Sequence, residues 1–486
     1  MLFNSVSFLI YFPIVVLINF VLPKKARNIW LLVASYYFYM CWNAKYGLLI
    51  ALSTLITYGS SLIIDGTGKK WLRKTAFFLC LASNLGILFF FKYFQWILDN
   101  INQLFHQSYS LPFSILLPVG ISFYTFQALG YTIDVYRGDL KAERSLINYA
   151  LFVSFFPQLV AGPIERSTNL LKQFRVHENF NPENAVRGLQ IMIWGFFEKM
   201  VIADNLAILV DHVYADWANY SGSILLLSTA LFAIQIYCDF GGYSHIAIGA
   251  AKVLNVDLMT NFRQPFFASS IKEHWRRWHI SLSTWFKDYV YIPMGGNRCS
   301  RVRHNFNIFV TFFISGLWHG PSWHYVIWGA LHGVYQIVGS YVEPVQKRLC
   351  KVVHIDFNGI FYKTMQRIVT FLLIVITFIF FRAVDVPQAL EILKKTFLEF
   401  GAGSLINGEM LNLGLNGAQM LTVGIAMVML LIVDILHERN ISISTWINQR
   451  NVVVRWGVYY AMILYILMVV LQTFGKSASS FLYFQF

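Results

Sequence analysis

Charge is what this sequence has least of. Asp, Glu, Lys and Arg make up only 13% of its 486 residues, against about 25% in soluble proteins, which must cover their surface with hydrated groups. The two or three soluble domains that the length would suggest are therefore a poor reading. Cysteine is sparse as well. Cys41, Cys80, Cys238, Cys299 and Cys350 are widely separated and form no CxxC pair, which argues against a disulfide framework or a zinc site and for reduced or buried thiols.

The motifs of common soluble chemistry are also missing. There is no HExxH, no GxSxG, no P-loop and no GxGxxG, so protease, hydrolase, ATPase and dehydrogenase readings lose support. His274/His279 and His319/His324 are each five residues apart, whereas metal ligands on one helix face lie three or four apart. Gly241-Gly242 follows Asp239 with no Lys or Ser/Thr in phosphate-loop register. Asp239 itself ends an apolar run, where such a residue more often caps or pairs locally. The net charge of +14 raises nucleic acid as a partner. However, the basic residues sit in short loops between apolar runs, with no basic stripe interleaved with aromatics, and nucleic-acid binding is rejected.

What the chain does contain is apolar and aromatic. It is 57% hydrophobic, with 44 Phe, 26 Tyr and 14 Trp, and its mean hydropathy is +0.54. A helix crossing ~30 Å of hydrocarbon needs about 20 mostly apolar residues. Such runs begin near Ser5, Asn28, Tyr46, Thr75, Ser114, Gly188, Ser223, Asn305, Trp323, Arg367, Gln419 and Val452. The expectation is an all-α polytopic protein of about 11–12 transmembrane helices forming one membrane domain, residues 1–486. The first run lacks a basic flank and a small-residue cleavage site and is expected to be a retained span.

Charge sets the expected sidedness. Lys24, Lys25 and Arg27 follow the first span, and Lys69, Lys70, Arg73 and Lys74 follow the third. Asp99 to Phe113 and Asp211 to Gly222 hold no Lys or Arg. The alternation puts the N-terminus outside. Asn148 to Pro163 breaks the rhythm, because it is apolar, has basic residues on both sides and contains Pro157, Gly162 and Pro163. It reads as a re-entrant segment, tolerated at membrane depth only where buried or lining a cavity; a short hairpin packed in the core fits equally. The largest insertion, 252–304, is basic and expected to be cytoplasmic, with nine Lys or Arg against three acids. Within it Glu273 to His279 is dense in Trp and Arg, as in an amphipathic helix lying at the interface.

Histidine at membrane depth is costly and calls for a reason. His319, His324 and His332 fall in or between two apolar runs. His319 sits in Ser315-Gly316-Leu317-Trp318-His319-Gly320-Pro321, where small residues allow close backbone approach and Pro321 frees backbone groups. Two readings stand on these residues alone. A buried neutral imidazole can take a proton as a general base, or it can tie two helices together through a backbone carbonyl.

Several long motifs in a fixed order then resemble the membrane-bound O-acyltransferase family. They are NFRQPFFASSIKEHWRRWHISLSTWFKDYVYIPMGGN (261–297), SGLWHGPSWHYVIWGALHG (315–333), LPVGISFYTFQALGYTIDVYRG (117–138), FFPQLVAGPIER (155–166) and QIYCDFGG (235–242). They are densest over residues 117–333 and fit best the bacterial branch that includes alginate O-acetylase and the D-alanyl-lipoteichoic-acid transfer protein. The resemblance implies a central tunnel, a buried catalytic histidine at His319, and an upstream partner at His279, which is His in this branch and Asn in others. It further implies acetyl-CoA as acyl donor, with no bound cofactor. Arg276, Arg277 and Lys287 would meet the donor's phosphates, although each is as readily a topology charge. The expected activity is acetyl transfer from cytoplasmic acetyl-CoA, across a bacterial cell membrane, for O-acetylation of an extracytoplasmic polysaccharide with a separate transferase as partner. D-alanyl transfer to teichoic acid is the nearest alternative. A polytopic transporter is the alternative of another class, although no related halves are evident.

Overall fold

In the computed structural model the described residues are 1–113, 115–160, 162–176 and 178–472; they are largely helical, with no strand among them. Eleven of the twelve expected runs start inside, or one residue before, a helix. Among the described residues six helices are both long and apolar enough to cross a membrane: Ala44–Gly66, Lys70–Lys92, Gly222–Val253, Ile360–Arg382, Gly417–Glu438 and Val452–Gln472. Val6–Val21, Lys24–Met40, Ile121–Arg137, Arg301–His319 and Trp323–Val352 are helical too, as is the run from Pro182 to Ala215, which carries a π-helical segment at Phe197–Ala203. Large apolar side chains such as Leu9, Phe78, Leu79, Leu464 and Leu471 stand exposed along these helices. In water such surfaces would aggregate; in hydrocarbon they are the expected exterior.

One boundary moves. The run expected from near Ser114, a residue outside those described, becomes helical only at Ile121. Pro118 and Gly120 intervene, and Gly120 takes φ +75° with its Cα packed so that a Cβ would fall 2.7 Å from the Leu159 carbonyl oxygen. Only glycine fits both the backbone angle and the space.

The chain divides into two compact units: Met1–Met192 with Tyr243–Thr260, and Ile193–Gly242 with the chain from Asn261 onward. In the first unit the Val6–Val21 and Lys24–Met40 helices are stapled by Tyr11 Oη donating to the Ala34 carbonyl at 2.9 Å. Ser53 Oγ donates to Asn84 Oδ1 at 2.6 Å between the next two helices. The apolar segment around Asn148–Pro163 forms a nine-residue helix, Leu146–Ser154, and a single turn, Phe156–Leu159, broken at Phe155. Nine residues span only about 14 Å, too short to cross ~30 Å of hydrocarbon. From Tyr149 to Val160 every side chain is buried, as irregular backbone at that depth demands.

In the second unit the basic insertion forms two short helices, Ile271–Arg277 and Ile280–Phe286, with a kink at His279, where φ is +42°. The sequence pattern suggested a helix with Trp facing a membrane interface. Instead Trp275 and Trp278 are 7% and 2% exposed. Trp275 packs on Phe312, Trp328 and His332, and Trp278 on Phe262 and Phe378. The kink rotates the aromatic face inward, where each indole buries more apolar area than at a wet surface.

Candidate active site

Backbone contact between two helices positions the central histidine. Arg301–His319 and Trp323–Val352 are joined by the short turn Gly320–Ser322. A Cβ on Gly316 would fall 2.4 Å from the Tyr325 carbonyl oxygen, and one on Gly329 would fall 2.4 Å from that of Phe312. The two glycines therefore let the helices cross main chain against main chain, the small-residue packing that membrane helices use. Any side chain at either position would push the helices apart and carry His319, three residues on, with them.

His319 is 3% exposed. Its ring meets Trp328 edge-to-face at 4.8 Å, Trp318 at 5.0 Å and Phe381 at 5.4 Å between centroids. His279 is fully buried, with Phe240 at 4.6 Å and Trp318 at 5.9 Å. Trp318 thus touches both imidazoles, although forty residues separate them in the chain. The left-handed backbone of His279 is held by its neighbours. Ile280 N donates to the Asn261 carbonyl at 2.9 Å, and Ser281 Oγ donates to Asn261 Oδ1 at 2.6 Å. His279 belongs to the insertion between the Gly222–Val253 and Arg301–His319 helices, and burial pushes its pKa down to about 3. Its imidazole is neutral at any working pH, with a lone pair able to accept a proton or a hydrogen bond.

The other buried histidines nearby are committed to the scaffold. His274 Nδ1 meets the Pro265 carbonyl at 3.2 Å, and His324 Nδ1 meets that of Phe380 at 3.0 Å. Trp275 Nε1 donates to His332 Nδ1 at 3.2 Å, so the His332 proton sits on Nε2 and donates to Thr377 Oγ1 at 3.1 Å. The threonine hydroxyl in turn donates to the Ile374 carbonyl at 2.7 Å. His332 supports Trp328, whose ring lies 4.9 Å from it and also against His319.

The three basic candidates separate. Arg277 is spent on carboxylates: it pairs with Glu273 at 2.7 Å and with Glu438, and so ties the insertion to the Gly417–Glu438 helix. Arg276 and Lys287 are exposed, with no carboxylate partner among the described residues. They alone of the three keep a charge available to an outside anion. Asp239 pairs locally, with Lys199 Nζ at 2.5 Å; the same ammonium reaches Asp204 at 2.7 Å. Gly242 is a packing residue, since a Cβ there would fall 2.7 Å from the Gly195 carbonyl oxygen. Among the described residues no cluster of His, Cys, Asp or Glu is arranged to hold a metal ion.

Sequence reasoning singled out Gly316 but passed over Gly329, whose signal was the small residue thirteen positions on in the facing helix. It also passed over Asn261, which opens the first long motif and whose role in holding His279 emerges only once residue 261 lies against 280. Trp318 was legible only as an aromatic in the motif.

Two buried histidines, one at the end of a glycine-tight helix crossing and one at the kink of the insertion, meet on one tryptophan of a polytopic helical protein, and buried imidazoles at such depth call for a reason. Residues 140–382 match the membrane-bound O-acyltransferase family, and this chain belongs to it; it is a multi-pass membrane acyltransferase. The chain is 37% identical to the probable alginate O-acetylase AlgI of Pseudomonas aeruginosa over 440 residues, 88% of this chain and 81% of that protein. It is 34% identical to the peptidoglycan O-acetyltransferase of Helicobacter pylori over 427 residues, 81% of this chain and 79% of that protein. The teichoic acid D-alanyltransferase of Bacillus subtilis is 28% identical over 288 residues, 56% of this chain and 69% of that protein.

Proposed function

We propose that this acyltransferase takes an acetyl group from acetyl-CoA on the cytoplasmic side of a bacterial cell membrane and delivers it for O-acetylation of an extracytoplasmic polysaccharide. The observation that carries the reading is the meeting of His279 and His319 on Trp318. Two imidazoles in one buried aromatic setting suit the removal of a proton from a hydroxyl. In the proposed step His319 accepts the hydroxyl proton while the oxygen attacks the thioester carbonyl. The C–S bond then breaks, an ester forms, and CoA leaves as the thiol with the proton returned from the imidazole. General-base help of this kind is worth about 10² to 10⁴ in rate. The aromatic walls would keep water from hydrolysing the thioester. A tunnel leads to His319 in this reading, and Arg276 and Lys287 meet the phosphates of the donor.

Acetyl is favoured over D-alanyl because the O-acetylating relatives match 81–88% of this chain and the D-alanyltransferase 56%. The acceptor is a wall or exopolysaccharide, reached through a separate extracytoplasmic transferase. Proteoliposomes given acetyl-labelled CoA on one side and a hydroxyl acceptor on the other test the reading. Ester-linked label on the acceptor with an equal amount of free CoA supports it. Passage of an intact solute without CoA release would mean a transporter, and label from a D-alanyl carrier in place of acetyl would mean the other branch.

A further inference from the structure

A second polar site lies in the first unit, in a small open cleft lined among others by Asn19, Phe20, Arg27, Gln173, Glu178 and Asn255. It forms where the Val6–Val21 helix turns into Lys24–Met40, against the chain after the Ser167–Arg175 helix and the end of Gly222–Val253. Arg27 is 8% exposed; its guanidinium lies over the Phe20 ring at 5.5 Å, and every hydrogen-bond partner it has among the described residues is a backbone carbonyl. Nε donates to Leu22 at 3.2 Å, one terminal nitrogen to Glu178 at 2.6 Å and the other to Phe20 at 3.4 Å. A guanidinium carries five N–H donors and keeps its charge at any working pH. Two donors therefore remain, one on each terminal nitrogen, together with a buried positive charge that no carboxylate among the described residues offsets.

The cleft's other amides are committed. Asn255 donates to the Asn179 carbonyl and accepts from Asn184. Gln173 donates to and accepts from the backbone of Asp257. Asn19 is the exception: it is 3% exposed, and its Oδ1 is buried with no hydrogen-bond partner among the described residues. An orphaned acceptor beside a cation with no carboxylate partner among the described residues is a pair of unmet demands in one cleft. One ligand answers both: a phosphate for Arg27, with an N–H or O–H donor a few atoms away for Asn19.

We infer that this cleft binds the headgroup of a phospholipid whose phosphate carries a hydroxyl- or ammonium-bearing substituent. The rim favours a lipid over a soluble phosphate. Val21, Val176 and Phe180 are 76%, 64% and 50% exposed, Phe180 packs on Phe20 at 5.2 Å, and Lys24 and Lys25 stand exposed beside the entrance. Acyl chains would lie along that apolar rim, and the lysines would draw the anionic group in. The site shares no residue with the His319 region and does not depend on the acyl group transferred.

Native mass spectrometry of the full-length protein in mild detergent, beside thermal unfolding, tests the inference. Wild-type protein should retain one phospholipid more than Arg27→Gln or Asn19→Leu, the second variant keeping the side-chain volume and removing the acceptor. Dihexanoyl phosphatidylethanolamine should raise the wild-type unfolding temperature and bind about tenfold more weakly to Asn19→Leu, the loss of one charge-assisted hydrogen bond. The phosphatidylcholine analogue, which has no N–H, should bind wild type more weakly as well. An Arg27- and Asn19-dependent shift with 3′,5′-ADP or inorganic phosphate and none with the lipid keeps the phosphate site and overturns the lipid. Equal lipid retention by all three proteins, with Arg27→Gln only less stable, makes Arg27 a strut between segments and ends the proposal. Asn19→Leu decides the matter even if Arg27→Gln does not fold.

Discussion

Two stretches of this protein have the look of membrane helices and are used in opposite ways. Val452–Gln472 is among the six most clearly apolar helices, yet only 11% of its spanning window is buried, and its buried side chains are Ile466 and Val469. Arg301–His319 and Trp323–Val352 are not among those six, because histidine, glycine and polar residues dilute them, and they carry the candidate site. Hydropathy measures what lipid will accept. A helix that must press main chain against main chain and hold an imidazole at depth gives up apolar surface to do so. The candidate site is therefore found where the hydropathy signal weakens.

Four tests, built on five substitutions, would break or sharpen that contrast. The largest expected effect is at His319: alanine there should cut acetyl transfer by about 10² to 10⁴ while leaving expression and detergent-purified size unchanged. Retained transfer in the labelled-CoA assay would take His319 out of the chemistry. Next comes the crossing itself. Gly316→Ala places a methyl 2.4 Å from a carbonyl oxygen and should destabilise the protein by about 1–3 kcal/mol, with transfer falling as the hairpin opens. The matched change on the exposed helix, Gly457→Ala, meets open space and should instead stabilise by up to about 1 kcal/mol. Opposite signs in paired thermal melts are the expectation; the same sign would erase the distinction drawn between the two helices.

His279→Asn is the third. Asparagine accepts the left-handed backbone that His279 adopts, so the fold should survive with transfer lowered about 10- to 100-fold if the imidazole takes part in the proton step. Full activity would reduce His279 to a polar spacer. The smallest effect is expected at Arg277→Gln, which removes two ion pairs from a partly exposed side chain. Stability should drop by about 1 kcal/mol, with the KM for acetyl-CoA unchanged. A raised KM would return Arg277 to the donor site.

Much of this was legible beforehand. Apolar runs located the helices, because length and hydropathy are local properties that lipid reads directly. The LWHG and RRWHIS segments carried the two histidines, and their order in the chain carried the family. The delayed start at Ile121 was written in Pro118 and Gly120, although the hydropathy of the surrounding run masked it. The inward turn of Trp275 and Trp278 was not legible. An aromatic face suits a membrane interface and a protein core equally, and the kink at His279 that chooses between them is held by Asn261, eighteen residues away.

The sequence by itself therefore determined that the chain lives in a membrane, that it is all helical and where most of its apolar helices lie, since each depends on a residue and its near neighbours. Only the tertiary structure decided which charges are spent and which remain. Arg277 is consumed by Glu438 from a distant helix, and Arg27 is left with carbonyls and no carboxylate. Whether a charged group is satisfied depends on what the fold brings within about 4 Å of it, and nothing local in the chain specifies that.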